Sequence, residues 1–186
     1  MDKGLPNNIE AEKSLLGSVF WSYAALQKAC EEMDKEAFYL DSNGTIFEVI
    51  KELYDNKKPV DMNTLTAELV TKKLLDKVGG VEYLNEIIDS VATGANIDYY
   101  INLVLEKFTL RKMIEEATKI ITNANTPDID VSLLVESAEK NILNVAKSRK
   151  TSEFRKVQDV LTKAQQDLQH LVENHGRVTG LTTGLY

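Results

Sequence analysis

The sequence predicts an all-α protein, with a compact helical head, then an antiparallel helical hairpin, then a separate linker helix. Three observations predict it. Apolar residues recur at helical spacing through most of the chain. Gly and Pro, at 9 and 3 residues, punctuate it sparsely. No stretch alternates β-branched and polar residues in the manner of a half-buried strand.

The first helix is expected over residues 8–21. Pro6 cannot extend it backwards, Asn7 is placed to cap its first turn, and Glu10 can reach back to the cap. Ile9, Leu15, Leu16 and Val19 begin its apolar face. A second helix is expected over 23–33. Residues 34–40 read as a short helical turn with Phe38 and Tyr39 packed inward. A third full helix over 45–54 carries Ile46, Phe47, Val49, Ile50, Leu53 and Tyr54, and Lys57-Lys58-Pro59 ends it. Asp61 is a plausible cap for a helix bearing Leu65, Leu69 and Val70. Gly79-Gly80 then breaks the chain before a helix over 83–88. These elements make up a head spanning 1–96.

Residues 97–122 contain no Pro or Gly and can form one long helix, yet the apolar stripe changes face. Ile97, Ile101, Val104, Leu105 and Phe108 share one side. Leu110, Met113, Ile114, Ala117, Ile120 and Ile121 lie roughly 180° away. A helix that swaps faces touches two different things; the alternative is a break near Thr109 that returns both halves to one core. Thr126-Pro127-Asp128 turns the chain into a helix with Val131, Leu134, Val135, Ala138, Ile142 and Val145 on one face. The two helices form a hairpin over 97–147. Leu133, Leu143, Met113 and Ile120 sit outside its simplest seam. They either widen the internal stripe or offer a second apolar surface to another subunit.

Residues 147–156 are polar and basic and read as a linker. Within 148–178 follows a three-four series, Phe154, Val157, Leu161, Ala164, Leu168 and Leu171, a narrow seam of coiled-coil kind. An isolated helix of this length is marginal in water and needs a groove to lie in. Residues 179–186 open a further segment, and the end at Tyr186 reads as a cut inside a longer protein.

Composition narrows the function. The 186 residues carry a net charge of −7, so sequence-independent binding to DNA through Lys and Arg is disfavoured. The single Cys30 excludes an internal disulfide framework and suits a reducing compartment. No apolar run approaches membrane-spanning length, and no basic-then-apolar leader opens the chain.

The chemistry-bearing residues are few. No Gly-x-x-x-x-Gly-Lys-[Ser/Thr] loop occurs, and the Gly180 to Gly184 spacing has no Lys behind it. His170 and His175 lack the Cys or carboxylate company of a metal site and read as surface histidines. Cys30 reads as a core or half-buried thiol, and Glu31-Glu32 and Glu115-Glu116 as solvated helix faces. The cluster Lys147, Arg149, Lys150, Arg155 and Lys156 reads as a solvated linker, with nucleic-acid contact the alternative. No active site and no cofactor site is expected in this chain.

Four stretches nonetheless form a recognisable series. They are Leu5-Pro6-x-Asn8-x-Glu10-Ala11-Glu12 through Leu16-Gly17, then Val78-Gly79-Gly80-Val81-Glu82-Tyr83-Leu84, then Ala95-Asn96-Ile97-Asp98-Tyr99-Tyr100, and finally Thr179-Gly180-x-x-Thr183-Gly184. In this order they resemble the N-terminal part of bacterial replicative DNA helicases of the DnaB family. A phage-encoded relative fits the same motifs.

The resemblance implies a helical collar that assembles the hexamer, with hairpins paired between subunits and the N-terminal domains forming a trimer of dimers. It implies subunit contacts at Leu110, Met113, Ala117, Ile121, Leu133 and Leu143. It implies docking of the linker helix, through Phe154, Val157, Leu161, Ala164, Leu168 and Leu171, on a neighbouring motor. That motor, which would begin at Thr179 to Gly184, binds ATP and Mg and engages single-stranded DNA. A helicase loader and primase are the implied partners, in the cytoplasm and away from membranes. Positions matching primase-contacting or modulating sites are Glu10, Tyr83, Ile114 and Ile120. Each also has a plainer reading: a cap, a core aromatic, and two hairpin-sealing residues. The chain without its motor is expected to lack ATPase activity. The rival is a free-standing helical regulator or adaptor of helix-turn-helix type. Against it, no helix carries the Arg, Lys, Asn and Gln cluster of a base-reading helix.

Overall fold

Three of the helix starts in this chain are set by short polar side chains, and the first lies one residue later than expected. The computed structural model describes residues 4–127 and 130–150, with side chains to residue 147. Asn8 caps α1 (Ile9–Trp21), its side chain accepting the Ala11 N–H at 3.1 Å. Asn7 instead donates to the Leu5 carbonyl at 2.9 Å. Glu10 makes no return bond among the described residues; it stays exposed in the first turn, where a carboxylate favours the helix dipole.

Ser22 caps α2 (Tyr23–Glu32) and Asp61 caps α4 (Met62–Thr71), the latter accepting the Thr64 N–H at 2.9 Å. Between them, a 3-10 turn (Lys35–Ala37) leads into α3 (Asp41–Asp55). This helix begins ahead of Thr45. Leu40 at its cap offers no side-chain oxygen, and no side chain caps this start. Phe38 is buried as expected, but Tyr39 faces outward. On α4 the core takes Leu65 and Leu69 and leaves Val70 exposed, because Val70 has rotated off their face. Gly79, at φ +99°, makes the left-handed turn into α5 (Gly80–Asp89), a conformation that favours glycine.

The core is one cluster. Leu15 and Leu16 of α1 meet Ile46, Phe47, Ile50 and Leu53 of α3, Leu65 and Leu69 of α4, and Leu84 and Ile87 of α5. Fully burying each such side chain contributes about 1.5–3 kcal/mol. α1 packs against α2, α5 and α6. Its approach to α5 is closest at Gly17, where a Cβ would lie 2.4 Å from the Ile87 carbonyl oxygen.

α6 (Ile97–Ala124) is a single uninterrupted helix. Ile97, Ile101 and Val104 are buried in the head core, with Leu105 and Phe108 packed beside them. The second stripe leaves that core: Leu110, Met113, Ile114 and Ile121 are exposed, Ala117 too, and Ile120 is half-buried. The alternative of two halves in one core is therefore excluded. α7 (Val131–Lys150) follows as a further helix. The close packing expected of a hairpin is not seen among the described residues, because Val131, Val135 and Ile142 of its expected seam are exposed and α6 does not pack closely against it. α7 runs through residues 147–150, which the sequence reading assigns to the linker, because nothing there breaks a helix. No strand occurs among the described residues, and the molecule is all-α as its sequence predicts.

Candidate functional site

The described residues contain no cluster of three or more His, Cys, Asp or Glu side chains able to hold a metal ion. Burial pushes the Cys30 thiol up to about 11, so this buried cysteine is a poor nucleophile. What the fold presents instead is two surfaces and a polar network beneath them.

The first surface forms where α1 meets α5. The Lys13 ammonium lies 5.1 Å from the centre of the Tyr83 ring and 3.0 Å from a Glu86 oxygen. Its pKa is raised, chiefly by the hydrogen bond to Glu86, with Glu10 adding to the field. Glu10, Lys13, Tyr83 and Glu86 thus share one electrostatic neighbourhood. Tyr83 is half-buried, and burial raises its hydroxyl pKa. The hydroxyl donates to Asn43 Oδ1 at 2.8 Å.

Under that face lies Glu12, 1% exposed. Its carboxylate accepts the Tyr39 N–H at 2.6 Å, the Leu40 N–H at 3.4 Å and Asn43 Nδ2 at 2.8 Å. Tyr39 and Leu40 immediately precede α3 and Asn43 lies in its first turn, so Glu12 ties the entry of α3 to α1. A buried carboxylate is tolerable only with such donors around it.

Arg111 of α6 grips the same segment from the other side. Its guanidinium donates to the Ala37 carbonyl at 2.6 Å and the Pro6 carbonyl at 2.9 Å, and stacks within 6 Å of the Tyr39 and Phe108 rings. Burial lowers its pKa, opposed by the field of Glu12 and then Tyr39.

The second surface lies on the outer half of α6 and on α7. Ile114 lines a shallow groove of about 460 Å³ with Leu5, Phe108, Arg111 and Thr118. On α7, Val131, Leu133, Val135, Ile142 and Leu143 are exposed, while Leu134, Ala138 and Val145 are half-buried. In the acidic pairs Glu31 and Glu115 are exposed as expected, while Glu32 and Glu116 are half-buried. Glu32 is half-buried and its pKa is raised, chiefly by desolvation. Glu115 is held down to about 2 by hydrogen bonds to Lys119 and Lys112. Glu116 gives one oxygen to Lys119 at 2.7 Å, and its other is buried with no hydrogen-bond partner among the described residues.

The fold therefore brings Glu10 and Tyr83 to one face and sets Ile114 and Ile120 on the outer half of α6. Leu110, Met113, Ala117, Ile121, Leu133 and Leu143 are all exposed. The linker seam from Phe154 to Leu171, His170, His175 and Thr179 to Gly184 lie outside the described residues. Glu12, Asn43 and Arg111 carry no assignment from sequence reasoning. Their signal was nevertheless present, because each occupies a helical position on an apolar stripe.

Comparison with known proteins agrees with this architecture. Residues 4–106 match the family described as "DnaB-like helicase N terminal domain". The chain is 40% identical over 183 residues to "Replicative DNA helicase DnaC" of Bacillus subtilis, covering 98% of this chain and 40% of that protein. It is 36% identical over 179 residues to "Replicative DNA helicase DnaB" of Geobacillus stearothermophilus, covering 96% of this chain and 39% of the relative. The chain thus spans about two fifths of the length of these relatives.

Among solved structures, the N-terminal domain of DnaB helicase from Mycobacterium tuberculosis superposes with a TM-score of 0.71 at 32% identity. That match covers 76% of this chain and 99% of that one. A DnaB-like replicative helicase, whose structure was described with its interactions with primase, shares the fold with a TM-score of 0.59 at 22% identity. There the match covers 94% of this chain and 36% of that one. The chain belongs to the DnaB-like helicase N-terminal domain family.

Proposed function

We propose that this chain is the assembly and recruitment part of a hexameric, ATP-dependent replicative DNA helicase, and that its head and hairpin present a docking surface to primase. The observation that carries the reading is the apolar surface left open on the outer half of α6 and on α7. Leu110, Met113 and Ile121 on α6 and Leu133 and Leu143 on α7 stand in water. A solvated face of this size needs a partner, and a second copy supplies one of matching character.

Primase is assigned to the Glu10–Tyr83 face and to Ile114 and Ile120 on their match to the family pattern. ATP, Mg, single-stranded DNA and the loader are assigned to the motor and its surroundings in the longer protein. Replication places that protein in the cytoplasm. No helix among the described residues is long and apolar enough to cross a membrane.

Two measurements test the reading. Sedimentation of the chain should show a concentration-dependent dimer that Ile121→Asp and Leu143→Asp convert to a folded monomer; a strictly monomeric mass at high concentration refutes the assembly role. The helicase-binding domain of the cognate primase should bind the chain more weakly after Tyr83→Ala or Ile120→Ala. Equal affinity in folded variants removes those residues from the assignment. Pure chain should turn over no ATP and bind DNA weakly and only at low salt.

A further inference from the structure

A pocket of about 760 Å³ opens between the corner of α1 and α2 and the turn that ends α3. It shares no residue with the Tyr83 face or with the exposed part of α6 and α7. Its floor is apolar: Val19 and Leu26 are buried there and Phe20 is half-buried. Tyr23 and Tyr54 form one wall, their ring centres 6.2 Å apart and their planes tilted by 44°. Tyr23 is 70% exposed. A lone exposed aromatic is ordinary. One that walls a concave apolar pocket with polar groups at its mouth has the anatomy of a binding site.

The mouth is built by the end of α3. The Lys57 N–H donates to the Tyr54 carbonyl and the Lys58 N–H to the Leu53 carbonyl, each at 2.9 Å. Lys57 takes φ +55°, the left-handed region that favours glycine, yet a cation stands there. Lys58 is engaged by Glu68 at 3.3 Å, whereas Lys57 has no ion-pair partner among the described residues. Residues 58–60 belong to no helix, and Pro59 pushes Lys58 into extended backbone. Pro59 has no N–H, and neither the N–H nor the carbonyl of Val60 is hydrogen-bonded among the described residues. A backbone donor and acceptor at a pocket mouth are what an extended peptide pairs with.

We propose that this pocket binds a short extended peptide segment of another protein, carrying a leucine or aromatic anchor beside an acidic residue. The anchor lies on Val19 and Leu26 against the two tyrosines, the carboxylate faces Lys57, and the peptide backbone pairs with Val60. Nucleic acid fits the same place poorly. The tyrosine rings lean on one another and leave no parallel slot for a base, Asp55 stands on the same rim, and the chain carries a net charge of −7. The site is independent of the primase-docking reading, since no residue of that assignment lines it.

The test pans a displayed library of random short peptides against the full 186-residue chain. Enriched peptides are expected to combine acidic residues with leucine or an aromatic. The tightest of them, synthesised and fluorescently labelled, should bind Tyr23→Ala about ten-fold more weakly. It should bind Lys57→Gly about three-fold more weakly and with a shallower salt dependence. Both variants keep the fold: Tyr23 lies outside the core, and glycine suits the left-handed backbone at position 57. Circular dichroism checks this. A library that yields no enriched peptide, a basic consensus, or a peptide that binds both variants as tightly as the parent overturns the proposal. So does binding of a labelled oligothymidylate that Tyr23→Ala abolishes, which would make the pocket a nucleic-acid site. Loss of self-association in Tyr23→Ala would assign it to a second copy of the chain and overturns the proposal equally.

Discussion

Replacing Gly17 by alanine sets two effects against each other. Alanine in a helix interior is favoured over glycine by about 1 kcal/mol, because it fixes less chain entropy on folding. At this position, however, the new Cβ would lie 2.4 Å from the Ile87 carbonyl oxygen, 2.9 Å from Ser90 Oγ and 2.9 Å from Val91 Cγ2. A carbon and a carbonyl oxygen sit comfortably at about 3.3 Å or more, so α1 and α5 must part by nearly an ångström. The Ile87 oxygen is main chain and cannot swing away. Overpacking of this kind costs about 1–3 kcal/mol. The Ser90 hydroxyl, bonded to the Ile87 carbonyl at 2.6 Å and to the Lys13 carbonyl at 3.2 Å, would also be displaced, at about 1 kcal/mol. The clash wins, and Gly17→Ala is expected to destabilise by about 2 kcal/mol, lowering Tm by about 4–8 °C. Urea unfolding followed by circular dichroism measures this as a lower midpoint at unchanged slope. A midpoint equal to or above that of the parent would mean that α1 and α5 are not in the contact described, and the reasoning fails.

Two further expectations concern single side chains. Cys30, with its thiol raised to about 11 by burial, should react with a disulfide reagent at pH 8 at least about ten-fold more slowly in the folded chain than in urea; equal rates would place it at the surface. Glu115 should titrate far below the ordinary glutamate value of 4.5, at about 2, and carbon NMR of its carboxyl reads the midpoint directly. Because the folded value is depressed, the associated stability is complete above the unfolded pKa and is lost as pH falls towards 2. Its side chain is 45% exposed, so the contribution stays below about 1 kcal/mol and shrinks in salt. A midpoint near 4.5 at low salt overturns the assignment of the Lys112 and Lys119 bonds.

The parts of the fold governed by local rules were legible in the sequence. Asp61 marks a helix start through its own side chain, and the α6 stripes follow from a fixed angle per residue. Gly79 does interrupt the chain, but α5 begins at Gly80 and not at residue 83, because the left-handed turn is made by Gly79 and Gly80 themselves. Capping by Asn7 was misplaced by one residue because adjacent asparagines are equally able acceptors. The start of α3 was missed for a different reason: no side chain caps it, and the residues before it are held by Glu12 of another helix, about which local pattern carries no information. Even so, Glu12 sits in step with Leu15, Leu16 and Val19, Asn43 with Ile46, Phe47 and Ile50, and Arg111 with Val104 and Phe108. A polar residue in phase with an apolar stripe is an expensive choice unless it is satisfied, and three such positions point to one buried network. The docking residues left a weaker trace: Tyr83 and Ile114 are chemically ordinary, and only position within the motif series singles them out.

The continuity of α6 ties the head and the exposed stripe beyond it into a common angular phase. Each residue turns the helix by about 100° and advances it about 1.5 Å. The buried stripe ends at Phe108 and the exposed one begins at Leu110, leaving Thr109 as the hinge of the pattern without any break in the backbone. One residue inserted or deleted between Arg111 and Met113 would swing every later side chain by about a quarter turn or more against the head. A polar face would then stand where the apolar one is now, without a single contact inside the head core being lost. The spacing across this segment is therefore expected to tolerate substitution far better than any change in length.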